Sequence, residues 1–422
     1  MQTQVNPFIF GDAVKGDRFL DRKRCLRRLA TRIQHGASAI VTGEPRMGKT
    51  SLLLYLEENA STFIDAETAQ NLIFRYLDAH LMAGWDSERF WREALRPLGE
   101  IPQTPEAYQQ SVFDFNAWEA AFAALEKANY RFVLLIDEFG ALQDERGLHQ
   151  RAVYGPLRSL STRSTSFSVI VASRYSLTEL ESKTKDFTAG SPYFNFMVEI
   201  PMQPFPESYV AQLLKWGDGR FTQQDHSFLK RLAGRHPYFL QSAAYHLWEA
   251  YEDEVDPASR YLLAATEFYQ TVGEAVLDDI WRTWTPYVQM AFTLAALETM
   301  PTLLDGNDFD IRGLLQELPN LSYELGKLKQ RGFLLQDDTK ECGYAPAAEV
   351  LLWYLADELQ RVLRPEPHLD EWLRNQRWEG MLKHSEKEAL KNAVTQIGGL
   401  LKGGAETFIE AMAKGLGASM LH

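Results

Sequence analysis

Residues 43–51 read GEPRMGKTS. Two glycines frame four residues, and a lysine and a hydroxyl follow, so Gly43 to Thr50 satisfies G-x-x-x-x-G-K-[ST]. So short a pattern occurs by chance, and its setting decides its meaning. Before it stands ASAIVTG, whose apolar stretch 39–42 after His35-Gly36 reads as a buried strand. After it stands SLLLYLEENA, with Leu52, Leu53, Tyr55 and Leu56, which reads as a helix. Strand, glycine loop and helix make a phosphate cradle. Glycine lets the backbone wrap closely with its N–H groups aimed at oxygens, and the helix start adds donors and a favourable dipole end. Gly43, Glu44, Pro45, Arg46, Met47, Gly48, Lys49, Thr50 and Ser51 are therefore candidate contacts for ATP or ADP. Lys49 would reach the β- and γ-phosphates, and the Thr50 hydroxyl would ligate Mg²⁺.

A second element supports this reading. RFVLLIDEFG (131–140) carries four apolar residues, Val133 to Ile136, as a strand covered on both faces requires. It ends in Asp137 and Glu138, where open α/β sheets bind ligands. Asp137 is the candidate second metal holder, and Glu138 the group that polarises an attacking water. A third strand, within SFSVIVASRYS (166–176), ends in Ser173-Arg174, and Arg174 is the candidate sensor of a γ-phosphate. Lys49, Glu138 and Arg174 form the candidate catalytic set. The stretch TAQNLIFRYLDAHLMAG (68–84) is ambiguous: LIFRYLDAH fits a second strand with Asp78 near its end or a helix, and the strand is preferred. DSERFWREALRPLG (86–99) is read as a helix with Phe90, Trp91, Leu95 and Leu98 on one face.

The 422 residues are 45% hydrophobic and 24% charged, a globular composition. At ~150 residues per domain the length predicts several domains. The net charge of −13 works against non-specific nucleic-acid binding. Cys25 and Cys342 make neither a disulfide framework nor a metal spacing, which fits a reducing cytoplasm. The N-terminal stretch lacks the pattern of a signal peptide, and no apolar run of ~20 residues offers a membrane span. His236 and His246 have no second ligand at a suitable spacing and are read as structural.

Together these residues resemble the STAND-type ATPases, the signal-transduction branch of the AAA+ proteins. NPFIFGDAVKGDRFLDRKRCLRRL (6–29) is similar to that family's lead-in, whose aromatic-x-Gly-Arg box packs on adenine. Here the box reads Phe19-Leu20-Asp21-Arg22, with aspartate in the glycine position, and the resemblance makes Arg22 a nucleotide contact. SPYFNFMVEIPMQPF (191–205) looks like the family's strand leading into a helical lid. AGRHPYFLQSAAYHLWEA (233–250) resembles the lid's Gly-x-Pro segment, matched at Gly234, Arg235, His236, Pro237 and Tyr238. The resemblance implies that Pro237 lies against the base and sugar. From the residues alone, Gly-Arg-His-Pro is a turn with Pro237 opening a helix.

The expected architecture is an α/β P-loop NTPase core of AAA+ type over 1–202, with a helical lid over 203–284. A winged-helix module over 285–363 and a linker with a helical tail over 364–422 complete it. The winged module is read from a helix in TPYVQMAFTLAALE, a shorter one in IRGLLQELP, a third in NLSYELGKLKQRGFLLQ, and a return strand and closing helix in KECGYAPAAEVLLWYLADEL. Its few basic residues, Lys327, Lys329 and Arg331 beside Asp337, Asp338 and Glu341, favour regulation over DNA contact. RPEPHLDEW (364–372) reads as a linker. In the tail, Leu390, Val394, Ile397, Leu401, Phe408, Met412 and Leu416 form an apolar stripe. Three readings compete for it: packing on the winged module, oligomerisation or partner binding, and membrane contact. No internal repeat is visible.

The expected function is a slowly hydrolysing, Mg-dependent ATPase that switches conformation or oligomerises with nucleotide state, self-associating or acting on a separate effector. An arginine from a neighbouring subunit would complete its site, with Arg158 and Arg163 as candidates. The alternatives are a DNA-directed AAA+ loader that uses the winged helix on DNA, and a scaffold that binds ATP with little turnover.

Overall fold

The apolar run before the glycine loop forms the central strand of a parallel sheet. In this computed structural model the described residues are 5–20, 22–106, 108, 114–185, 192–253, 255–303, 321–363 and 404–411, with single positions between 371 and 390. Side chains are not described at 257, 258, 301–303 and 361–363. The strands are β1 (Ser38–Thr42), β2 (Leu72–Asp78), β3 (Arg131–Asp137), β4 (Phe167–Ser173) and β5 (Met197–Pro201). Their order is β2-β3-β4-β1-β5, every neighbouring pair parallel. Parallel strands end at one edge, so Gly43, Asp137 and Arg174 leave the sheet on the same side, with β4 standing between the loop strand and the acidic strand.

Alternation along each strand builds two cores. Ala39 and Val41, Val133 and Leu135, and Ile170 and Ala172 face helices α1 (Lys23–Gln34) and α2 (Lys49–Asn59). Ile40, Leu134, Ile136, Val169 and Val171 face the other way. There they meet apolar side chains of α4 (Ser87–Ala94), α5 (Phe115–Lys127), α6 (Arg151–Arg163) and α7 (Leu177–Lys183), while the short α3 (Ala66–Gln70) leads into β2. The expected strand over the ambiguous stretch is present as β2. The helix expected over 86–99 is split: α4 is followed by a 3₁₀ turn over Arg96–Glu100. Pro97 has no N–H and its ring clashes with the preceding turn, so the α-helix stops. Phe90, Trp91, Leu95 and Leu98 are nevertheless all buried.

The chain forms two compact units, Ala13–Met202 and Met1–Asp12 with Gln203–His422. The second unit is helical: α8 (Glu207–Leu214), α9 (Gln223–Ala233), α10 (Pro237–Glu252), α11 (Pro257–Val272), a π-turn over Gly273–Leu277, and α12 (Asp278–Thr283). Then come α13 (Pro286–Leu303), α14 (Leu321–Arg331), an antiparallel pair β6 (Leu334–Gln336) and β7 (Tyr344–Pro346), and α15 (Glu349–Leu363). The short helix expected over 311–319 lies outside the described residues.

The N-terminal residues complete this unit's core. Phe8 is buried, stacked on Phe221 at 5.5 Å and set against Trp216 and Trp248. Asn6 Nδ2 donates to Glu249 Oε1 at 2.6 Å and to the Tyr245 carbonyl at 3.3 Å.

A buried carboxylate ties three of the helices. Asp225 is 1% exposed. It accepts from the Thr222 N–H (2.6 Å) and hydroxyl (2.8 Å), and from the hydroxyls of Tyr251 and Tyr261 (both 2.8 Å). The Thr222 N–H bond, with the Asp225 N–H on the Thr222 hydroxyl at 3.2 Å, makes the α9 capping box, and the two tyrosines reach in from α10 and α11.

Part of the tail is helical and docked. Ala405 N–H donates to Asp357 Oδ1 at 2.7 Å, and the Tyr269 hydroxyl to Oδ2 at 2.5 Å. Gly404 has φ +57°, and a Cβ there would stand 2.2 Å from Asp357 Oδ1. Ala405, Phe408 and Ile409 are buried, Phe408 being a member of the apolar stripe. Val394, Ile397, Leu401, Met412 and Leu416 lie outside the described residues. No helix among the described residues is long and apolar enough to cross a membrane.

Cys342 stands between β6 and β7. Burial, and the Glu298 carboxylate beside it, push its thiol up to about 12 from 9.0. Alkylation proceeds through the thiolate, so at pH 8 Cys342 should react roughly a thousandfold more slowly than a model thiol. Iodoacetamide labelling of the native protein read by peptide mass spectrometry checks this; comparable rates would contradict it.

Candidate functional site

The glycine loop starts where β1 ends. The Gly43 N–H donates to the Ser173 carbonyl at 3.3 Å, which fixes the loop against β4. Arg46 (φ +62°) and Gly48 (φ +92°) are left-handed, and such reversals turn successive N–H groups toward one concave side. Glycine adopts this at no cost, and Gly48 is the N-cap of α2. The Met47 side chain is buried in the core, so its contribution to the cradle is backbone alone. Its carbonyl accepts from the Arg22 guanidinium at 3.0 Å. Ser51 Oγ accepts from the Val14 N–H at 2.9 Å, and Phe19 stacks on Tyr55 at 4.2 Å. The lead-in residues are thereby held on the loop and its helix.

Lys49 is 4% exposed, and its ammonium donates to the carbonyls of Gly43 and Glu44 at 3.1 Å each. Burial pulls its pKa down, while the carboxylates of Glu138, Glu44 and Asp137 oppose the shift. Arg174, exposed at the tip of β4, adds a smaller downward push, so its charge is felt at Lys49. Loop cation, strand-end acids and strand-tip arginine thus share one electrostatic neighbourhood.

Asp137 is 2% exposed. Its Oδ1 accepts from the Glu138 N–H and its Oδ2 from the Tyr76 hydroxyl, both at 2.9 Å. Glu138 has φ +46°, a left-handed conformation that costs a non-glycine residue about 1–2 kcal/mol. Such backbone persists where the surroundings enforce it, and it clusters at functional sites. Here the Ala141 N–H on the Glu138 carbonyl (2.8 Å) closes the turn. Beyond it, the Tyr175 ring packs so tightly on Gly140 that a Cβ there would stand 2.8 Å from the ring. Tyr175 in turn carries the Arg174 guanidinium at 5.1 Å and the Lys183 ammonium at 3.9 Å.

Pro237 belongs to the other unit, where it is the first residue of α10. The preceding His236 is buried and stacked on Phe239 at 4.2 Å, a structural setting. Gly234 ends α9 at φ +59°, and a Cβ there would meet the Ala347 carbonyl at 2.6 Å, so this glycine is needed for packing. Arg163 is ion-paired with Glu119 at 2.8 Å, and Arg158 lies over the Tyr193 ring at 5.6 Å.

Two residues that the sequence reading passed over stand beside the site. Tyr76 holds Asp137. Glu199, in the middle of β5, accepts from the Thr42 hydroxyl at 2.9 Å and from the Leu177 N–H at 3.3 Å. It thereby ties the end of β1 to the start of α7. A charged residue in the apolar run MVEIP was the available signal.

Among the described residues no cluster of three His, Cys, Asp or Glu could hold a metal unaided. The Thr50 hydroxyl and the Asp137 carboxylate are hard oxygen donors. That set fits Mg²⁺, which keeps several waters and takes phosphate oxygens as ligands.

No protein-family model and no curated protein matches the chain. Solved structures do. The Walker-type ATPase of Pyrococcus abyssi aligns with a TM-score of 0.52 at 14% identity, over 80% of this chain and 96% of that one. The Aeropyrum pernix ORC2 protein aligns at 0.48 and 13%, over 94% and 96% of the two chains. A STAND protein with a tetratricopeptide-repeat sensor from Pyrococcus horikoshii aligns at 0.38 and 12%, over 97% and 60%. The strand order, the glycine loop after β1 and the first of these likenesses together give the chain the α/β P-loop NTPase fold of AAA+ type.

Proposed function

We propose that this chain is a nucleotide switch of the STAND-type AAA+ kind, binding Mg-ATP at Gly43–Thr50 and hydrolysing it slowly. The observation that carries the reading is the convergence of buried Lys49 with Asp137 and Glu138 at one edge of the sheet. In this reading Lys49 exchanges its two carbonyl partners for β- and γ-phosphate oxygens. Thr50 and Asp137 hold Mg²⁺, which supplies neutralisation of the developing phosphate charge. Glu138 orients the attacking water, and Arg174 senses the γ-phosphate. Arg22 supports the cradle through Met47, and Ser51 holds the lead-in beside it. Arg158 or Arg163 of a neighbouring copy would complete the site on release from its present partner.

The domain scheme that goes with this has the ATPase core over 1–202, a lid over 203–284 with Pro237 against the nucleotide, a winged-helix module over 285–363 and a tail beyond. The lid and winged module carry nucleotide state to self-association or a separate effector in the cytoplasm. Stress response or phage defence is the setting that the resemblance alone suggests.

Light scattering on the purified protein tests this with ADP, with ATP-γ-S, and with Glu138→Gln plus ATP. A larger assembly in the ATP states than with ADP is expected. One mass in every state would remove nucleotide-driven assembly from the proposal.

A further inference from the structure

Asp137 is held from two sides, and one of them comes from a neighbouring strand. Strands β2 and β3 pair in parallel with Tyr76 opposite Leu135 and Asp78 opposite Asp137. Tyr76 therefore shares a sheet face with Asp137 and lies one diagonal step from it. A long, rigid side chain with a donor at its tip spans that step, and the hydroxyl meets Oδ2 at 2.9 Å. Asp78, directly opposite, is turned to its own chain, where its carboxylate accepts from the His80 N–H at 2.9 Å. The Glu138 N–H occupies Oδ1 at 2.9 Å. Each carboxylate oxygen thus carries one anchor and keeps lone-pair capacity for a further partner. The tyrosine ring itself packs against the core on this face of the sheet, to which Val133 and Leu135 of β3 belong, so the ring has a packing role that the hydroxyl does not share.

We propose that Tyr76 is a positioning residue for the metal: its hydroxyl fixes the Asp137 carboxylate in the orientation from which that carboxylate holds the Mg²⁺ of bound nucleotide. This rests on the reading of Asp137 as a metal-holding group. Partners that orient a ligating carboxylate set metal affinity, and their loss typically costs 10–100-fold. Tyr76→Phe keeps the ring and removes the hydroxyl alone.

The test is a titration of the full chain with a fluorescent N-methylanthraniloyl-ATP, first in EDTA and then across a series of MgCl₂ concentrations. It is run on the wild type, Tyr76→Phe and Asp137→Asn. Tyr76→Phe should bind the analogue as the wild type does in EDTA, with its Mg²⁺ midpoint raised by about tenfold. An unchanged midpoint overturns the positioning role, even if the melting temperature falls, because lost packing alone would lower melting without moving the metal response. The wild type and Asp137→Asn separate that failure from a deeper one. If the wild type shows no Mg²⁺ response, or Asp137→Asn shows the same one, the metal reading of Asp137 falls as well.

Discussion

Glu138→Gln should leave ATP affinity unchanged and lower the single-turnover hydrolysis rate by about 10²–10⁴-fold, the range of a positioned general base. The backbone explains why the effect should be confined to chemistry. The Glu138 N–H anchors Asp137, and its carbonyl closes the following turn. Glutamine keeps both backbone groups and the side-chain shape, losing only the charge that polarises water. Phosphate release measured alongside equilibrium binding of the analogue checks both halves. An unchanged rate would take the base role from Glu138, and a lost affinity would make the residue structural instead.

Asp225→Ala should cost the helical unit about 3–5 kcal/mol. One carboxylate serves a backbone N–H and three hydroxyls. The Tyr251 and Tyr261 phenols are held above their ordinary pKa, first by burial and then by this carboxylate, which is what donors sharing a buried acid should show. Removing the acid leaves the Tyr251 and Tyr261 hydroxyls without their acceptor, at about 1–3 kcal/mol each, while the donors of exposed Thr222 turn to water. Urea unfolding of the unit, read by tryptophan fluorescence, measures it. A loss below about 1 kcal/mol would mean that water replaces the carboxylate at little cost.

What the sequence made legible was local. The glycine loop and the acidic end of β3 are contiguous signals, and the β-branched runs before them are buried strands whose periodicity survives folding. β2 was harder because an edge strand is only half covered, so LIFRYLD lacks the continuous apolar run of β3. The split of α4 was readable in Pro97 and was outweighed by the apolar face that runs past it. Contacts across the fold were not readable. Tyr76 reaches Asp137 only because of the β2–β3 register, and Asp225 collects tyrosines from two later helices. The site roles themselves, from Arg22 to Pro237, are chemistry read from pattern, and the variants above test those of Asp137 and Glu138.

The burial of Phe8 has a consequence for modularity. The helical unit is assembled from two separate stretches of chain, and Phe8 fills a space among Trp216, Phe221 and Trp248. A cut between Met202 and Gln203 therefore yields one piece carrying a stranded aromatic segment and another with an open aromatic socket. Neither half is a transferable cassette. Recombination or fragment design that respects the fold must carry residues 5–12 with the helices, although 190 residues of the other unit stand between them in the sequence.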